Sequence, residues 1–227
     1  NRYLSAMSDE IAAAEGILDK YLGDGIMSFW GPPFTKGNHA FGACSAALAM
    51  QAKLSPLQDE WRADGFPPVA MRVGLATGEV IVGNIGSERS QDYTCIGDTV
   101  NLASRLEGVN KFYGTGIVSD AATREMAGDA VVVRALDTIQ VKGRTGATEI
   151  YELAGLKGTV SEARLALLRR SEEALRLYRS ARFAEALAIW EGIGADDPPS
   201  RIMAGQCRQL LADPPAAWTG VRHLEQK

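Results

Sequence analysis

The sequence is poor in the residues that most often carry redox or metal chemistry. Among 227 residues there are three cysteines, Cys44, Cys95 and Cys207, and two histidines, His39 and His223. An odd number of widely spaced cysteines argues against a disulfide framework and for a reducing compartment. Without paired cysteines a zinc site is not expected. No apolar run approaches the roughly 18 to 20 residues that cross a bilayer, and no signal peptide is present. The expected location is therefore cytoplasmic, with membrane anchoring left to a longer parent. A net charge of −4 gives no global drive toward nucleic acid or anionic lipid. The chain begins with Asn in what reads as the middle of a helix, so it is expected to be a fragment.

What is there suits a folded protein. Hydrophobic residues make up 46% and charged residues 23%, the balance of an ordinary globular chain long enough for one sizeable domain and a smaller one. Charge is uneven: residues 1–155 carry 13 basic and 19 acidic side chains, and residues 156–227 carry 11 and 9. That asymmetry divides the chain at about residue 155.

The first informative stretch runs from Gly16 to Gly31. Two apolar-rich runs flank Asp24-Gly25, a dipeptide suited to a two-residue hairpin turn in which both central residues have positive φ. Asp24 then stands at the tip, and Lys20, four residues earlier on the same strand, shares its face. On the hairpin alone two readings stay open, a surface ion pair beside a turn or a cation and a carboxylate facing a ligand.

The remaining elements follow from periodicity and breakers. Asn1 to Ala14 and the alanine-rich segment after the N-cap Asn38 read as helices. Residues 70–76 and 79–84 read as strands joined at Thr77-Gly78, followed by a polar loop from Ser87 to Gln91 and a short strand from Asp92 to Ile96. A helix then carries Val100, Leu102, Ala103 and Leu106 inward. Further strands are expected at 116–119, 130–140 and 148–153, with a short helix at 121–127. Interleaved strands and helices predict an α+β sandwich with helices on one face. From Val160 the pattern becomes helical: 162–179 and 182–191 form a hairpin with a tetratricopeptide-like Tyr178…Phe183-Ala184-Glu185-Ala186-Leu187 stripe. Ser200 is the expected cap of a third helix.

Three clusters carry polar groups suited to chemistry. One is Lys20 with Asp24. The second runs from Tyr93 to Glu107 and includes Thr94, Asn101 and Arg105, the last two sharing a helix face at i and i+4. The third is Val141-Lys142-Gly143. In isolation a helical Asn and Arg more often bond a neighbouring carbonyl or carboxylate.

Together these clusters resemble the catalytic domain of the class III nucleotidyl cyclases, the adenylate and guanylate cyclases. The likeness covers residues 1 to about 153. It rests on Asp19-Lys20 through Trp30-Gly31, Arg72-Val73-Gly74-Leu75-Ala76-Thr77-Gly78, and Gly97-Asp98-Thr99-Val100-Asn101-Leu102-Ala103-Ser104-Arg105. The resemblance implies a ferredoxin-like-type cyclase sandwich with helices packed on a mainly antiparallel sheet, over residues 1–155, followed by a small all-α tail over 156–227. It implies conversion of a nucleoside triphosphate to a 3′,5′-cyclic monophosphate and pyrophosphate at a head-to-tail homodimer interface, with two magnesium or manganese ions per site and an upstream sensor or regulatory domain. By position Asp24 matches a metal aspartate, Arg105 the transition-state arginine, Asn101 the ribose-orienting residue and Lys142 a contact to the terminal phosphates. Lys20 and Thr94 occupy the purine-reading positions. A lysine donates to adenine N1 and a threonine hydroxyl accepts from the 6-amino group, whereas guanylate cyclases typically have Glu and Cys there, and Cys95 stands one residue out of register. ATP is thus the implied substrate and adenylate cyclase the implied activity. The alternatives are a guanylate cyclase and a pseudocyclase that keeps only the fold. The family's first metal aspartate and its Gly-Phe loop have no match in this chain, which as it stands is expected to lack half of the metal site, a central strand, and activity.

Overall fold

The apolar periodicity of the N-terminal segment gives helix α1 (Arg2–Ala13), which buries Met7 and Ile11. The structure, a computed structural model, describes residues 1–141 and 146–224. After α1 the chain enters a hairpin of β1 (Ile17–Leu22) and β2 (Gly25–Phe29). The turn lies one residue earlier than its Asp-Gly signal. Leu22 pairs with Gly25, so Gly23 and Asp24 are the central residues, and of the two only Gly23 has a positive φ, of 67°. A turn with glycine first needs positive φ only there, which spares Asp24 the strain of a type I′ turn. Asp24 is therefore outside β1, and the strand face it was expected to share with Lys20 does not exist.

The second helix, α2 (His39–Ala63), starts where Asn38 accepts a hydrogen bond from the Phe41 N–H. Its small residues Ala40, Cys44 and Ala47 are buried against Leu75, Ile117 and Leu153. The strands near Thr77-Gly78 do not form a hairpin. β3 (Val73–Leu75) pairs parallel to β6 (Ile117–Asp120), while β4 (Ile81–Ser87) pairs with β5 (Ser90–Ile96) in a separate two-stranded sheet. The reason is local: the Thr77 N–H donates to the Asp120 carboxylate at 3.4 Å, and the Thr77 and Thr123 hydroxyls bond at 2.8 Å. The chain after β3 is held at the corner between β6 and α4 (Ala121–Ala127) instead of turning back. The expected polar loop after Ser87 closes as a tight turn, because Ser87 pairs with Ser90.

The main sheet has five strands in the order β3-β6-β8-β7-β9, with β7 (Val131–Val141), β8 (Thr148–Leu156) and β9 (Arg222–Leu224). β8 is antiparallel to both its neighbours, and β9 is parallel to β7. All four residues of β6 are buried, as in a strand covered on both faces. Ile117 packs with α2, and Val118 packs with Leu106, Val109 and Tyr113 of α3 (Asp98–Tyr113). Helices thus cover both faces of the sheet, not one.

The C-terminal segment folds as α5 (Glu162–Arg179), α6 (Phe183–Ile193) and α7 (Pro198–Ala212). Asp197, not Ser200, caps α7, accepting from the Ser200 N–H at 3.1 Å. Pro198 and Pro199 occupy the first turn, where a missing N–H costs nothing. Leu175, Tyr178, Trp190, Met203 and Cys207 of these helices share one apolar cluster with α3 and the sheet residues Ile139 and Ile150. Among the described residues no helix is long and apolar enough to cross a membrane, and the three cysteines are free and buried.

Candidate active site

Two hairpins that belong to different sheets meet at a buried carboxylate. Asp19 of β1 has a side chain with no exposed surface. Its Oδ2 accepts from the Thr94 hydroxyl at 2.6 Å and from the Cys95 N–H at 3.2 Å, both on β5. Its Oδ1 lies 3.3 Å from Lys20 Nζ. Neighbouring residues on a regular strand point to opposite faces, yet Asp19 and Lys20 converge. A bulge allows it: Leu18 pairs with Ser28 and Lys20 with Met27, leaving Asp19 as the extra residue. The hairpin is held in place from behind, where the Trp30 indole N–H donates to the Ala14 carbonyl at 2.9 Å and Tyr21 and Ser8 hydroxyls bond at 3.0 Å. Burial and then the Asp19 carboxylate push the Cys95 thiol up from its ordinary value, so it is kept as the protonated, unreactive form.

Lys20 and Thr94, 74 positions apart in sequence, are thus brought to the two sides of Asp19. The Lys20 side chain is about one-third exposed and Thr94 is buried. The remaining expected residues are not gathered with them. Asp24 is exposed at its turn. Asn101 is exposed and Arg105 half-buried, one turn apart on α3. Among the described residues, no hydrogen bond or ion pair engages the side chains of Asp24, Asn101 or Arg105. Lys142 lies outside the described residues.

Other parts of the quoted motifs are explained by packing. A Cβ on Gly74 would come within 2.1 Å of the Ala103 carbonyl oxygen and 2.3 Å of the Glu107 nitrogen, so glycine is what lets β3 touch the backbone of α3. Arg72 Nε donates to the Glu107 carboxylate at 2.7 Å. The buried Asn110 side chain donates to the Val73 carbonyl at 2.9 Å. These contacts set the position of the helix that presents Asn101 and Arg105.

Asp24 offers the hard carboxylate oxygen that magnesium and manganese favour. Among the described residues, however, no three His, Cys, Asp or Glu side chains converge to hold an ion. One carboxylate is not a two-ion centre, so these residues do not by themselves fit one. Asp19 is the functional candidate that sequence reasoning passed over. The available signal was a carboxylate beside a lysine inside the largely apolar run Ile17-Leu18-Asp19-Lys20-Tyr21-Leu22; such a carboxylate has to find partners if it is buried.

Comparison with known proteins gives this arrangement a family. The family described as "Adenylate and Guanylate cyclase catalytic domain" matches residues 5–155. Adenylate cyclase 1 of Rhizobium meliloti is 38% identical over 161 residues, 71% of this chain and 24% of that protein. The terminal-differentiation-specific adenylate cyclase of Dictyostelium discoideum is 32% identical over 220 residues, 93% of this chain and 10% of that protein. The chain therefore spans a quarter or less of the length of these two relatives. Among solved structures, the adenylyl cyclase CyaB from P. aeruginosa superposes with a TM-score of 0.65 at 35% identity, over 71% of this chain and 83% of that one. The guanylyl cyclase Cya2 superposes with a TM-score of 0.64 at 35% identity, over 70% and 80%. With the motifs, the fold and these likenesses in agreement, the chain belongs to the class III nucleotidyl cyclases, the adenylate and guanylate cyclase catalytic domain family.

Proposed function

We propose that the chain is the catalytic part of an adenylate cyclase that converts ATP to 3′,5′-cyclic AMP and pyrophosphate as a head-to-tail homodimer, with residues 1–155 as the catalytic domain and 156–227 as a tail. Overall likeness does not choose the base, since an adenylyl and a guanylyl cyclase structure match at the same identity. The observation that carries the choice is the meeting of Lys20 and Thr94 at Asp19. An ammonium is a pure donor and suits the lone pair of adenine N1, while a hydroxyl oxygen accepts from the 6-amino group.

In this reading the chain binds the purine between β1 and β5. Asn101 orients the ribose so that the 3′-oxygen attacks the α-phosphorus as the bond to the pyrophosphate oxygen breaks and the hydroxyl proton leaves. Arg105 stabilises the charge gathering on the phosphoryl oxygens, a role in which a preorganised cation is effective. Lys142 contacts the terminal phosphates. Members of this family generally use divalent metal ions, and Asp24 would supply one ligand. Support for a dimer comes from the inventory: purine-reading and phosphate-facing residues both occur in one chain, yet no bond joins the two sets among the described residues. Two copies could complete each other's sites.

The test is a nucleotide cyclase assay of the purified full-length parent with manganese and either ATP or GTP. The expected product is cyclic AMP, with at most traces of cyclic GMP. Predominant cyclic GMP would overturn the base reading. No product from either nucleotide, with nucleotide binding retained, would replace the enzyme by a non-catalytic nucleotide-binding module.

A further inference from the structure

We propose that Asp19 is a specificity-determining positioning residue, which fixes the hydrogen-bond polarity of Thr94 so that the site accepts a 6-amino purine and rejects a 6-oxo purine. The inference rests on the reading of Lys20 and Thr94 as the purine-contacting pair, and it adds to that reading the residue that makes the pair selective.

A threonine hydroxyl is ambiguous, because it has one proton to donate and two lone pairs to accept with. Left free to rotate, it could accept from the 6-amino group of adenine or donate to the O6 of guanine, and would separate the two weakly. Asp19 removes the ambiguity. An ionised carboxylate is acceptor-only, so the 2.6 Å contact between Thr94 Oγ1 and Asp19 Oδ2 commits the single hydroxyl proton to Asp19. Only lone pairs remain on the other side of the oxygen. These complement an N–H donor and oppose a carbonyl oxygen, the feature that distinguishes adenine from guanine at position 6.

Three features hold the carboxylate in that role. The bulge between Leu18 and Lys20 turns Asp19 to the same side as Lys20. The Cys95 N–H fixes Oδ2 from the backbone of β5 at 3.2 Å. The Lys20 ammonium, 3.3 Å from Oδ1, balances the buried charge and is itself aimed by it. Lysine keeps two further N–H donors for the purine, which face an acceptor at adenine N1 and would face a donor at guanine N1. One carboxylate thus orients both readers, and a site built from buried, oriented polar groups discriminates far more sharply than an apolar pocket.

The experiment compares Asp19→Asn with the full-length wild type for the ratio of kcat/KM on ATP to that on GTP, with equilibrium binding of both nucleotides measured in parallel. The Asn amide can donate to Thr94 and release its proton toward the base. The ratio is therefore expected to fall at least tenfold, through loss on ATP and a gain or no loss on GTP. A merely structural role would lower both substrates together, and an unchanged ratio in a folded variant would overturn the proposal. Should Asp19→Asn fail to fold, the wild type decides, using purine riboside triphosphate and its 6-methoxy analogue. The analogue keeps an unprotonated N1 but presents an acceptor oxygen at C6, and it is expected to bind at least tenfold more weakly. Equal or tighter binding would mean that the hydroxyl is free to donate. Failure of the underlying reading looks different: wild type that prefers GTP, or that binds neither nucleotide, removes the base-reading pair itself.

Discussion

With Lys20 and Thr94 as the proposed purine readers, base choice would come down to which atoms at the β1–β5 junction can donate and which can accept. Exchanging both readers for their complements should therefore redirect it. In Lys20→Glu with Thr94→Cys, the glutamate would accept from the N1–H and 2-amino group of guanine, and the ammonium that suits adenine N1 is gone. Turnover of ATP is expected to fall by at least about 100-fold, the scale on which sites rich in oriented hydrogen bonds discriminate, while some cyclic GMP appears. Chromatographic separation of the cyclic products is the measurement, and an unchanged ATP preference in the purified double variant would remove Lys20 and Thr94 from base recognition. Lys20, Thr94, Asp24, Asn101 and Arg105 were legible as candidates from residue type and motif order, and the structure brings the first two together. Asp19 was not, for a definite reason. Strand alternation sends Asp19 and Lys20 to opposite faces, and nothing in Ile17-Leu18-Asp19-Lys20-Tyr21-Leu22, which has no glycine, announces the bulge that brings them together.

Elements are legible in the sequence where a single periodicity decides them and less so where a tertiary contact does. α1, α4 and α5 were legible because apolar spacing and caps are local. The turn after Leu22, the course of the chain after β3 and the start of α7 were not. Each depends on a competition between two acceptable local choices, settled by Gly23, by Asp120 and Thr123, and by Asp197 respectively. The contact between β3 and α3 gives this scale its own prediction. The atoms that a Cβ on Gly74 would meet are backbone atoms of Ala103, Leu106 and Glu107, so relief requires the whole helix to move. Gly74→Ala is expected to destabilise the fold by about 3 kcal/mol, the upper part of the range for overpacking. Gly83 on β4 is the matched control, because a Cβ there meets nothing within 4 Å and no positive φ is required. Denaturant unfolding of the two alanine variants should differ by most of that amount. Similar stabilities would mean that α3 is not seated by glycine.

At the scale of the whole molecule, charge as well as apolar surface joins the C-terminal helices to the sheet. Arg134 of β7 has no exposed side-chain surface and is held by Glu152 of β8 at 2.8 Å and by Asp197 at 2.6 Å. Arg164 of α5 reaches the same two carboxylates at 3.2 and 3.0 Å. The charge asymmetry between the two segments hinted that they differ, but not that their opposite charges meet in the interior. Burial alone would raise the Asp197 carboxyl; the hydrogen bond and charge of Arg134, with the bond from the Ser200 N–H, outweigh it and hold the group at about 2, below its ordinary 3.8. A carboxyl lowered on folding stabilises the folded state at any pH above its unfolded value. That contribution, about 2 kcal/mol by linkage, is lost as pH falls from about 4 toward 2. Asp197→Asn cannot show this loss. Removing one partner of a buried ion pair also strands Arg134, so the variant is expected to be about 3 kcal/mol less stable than wild type at pH 7. The difference should narrow steadily below pH 4 as wild type gives up its own share. Unfolding free energies of both proteins, measured from pH 7 down to the lowest pH at which they remain folded, test the argument. Parallel curves would show that Asp197 does not carry its charge into the interface.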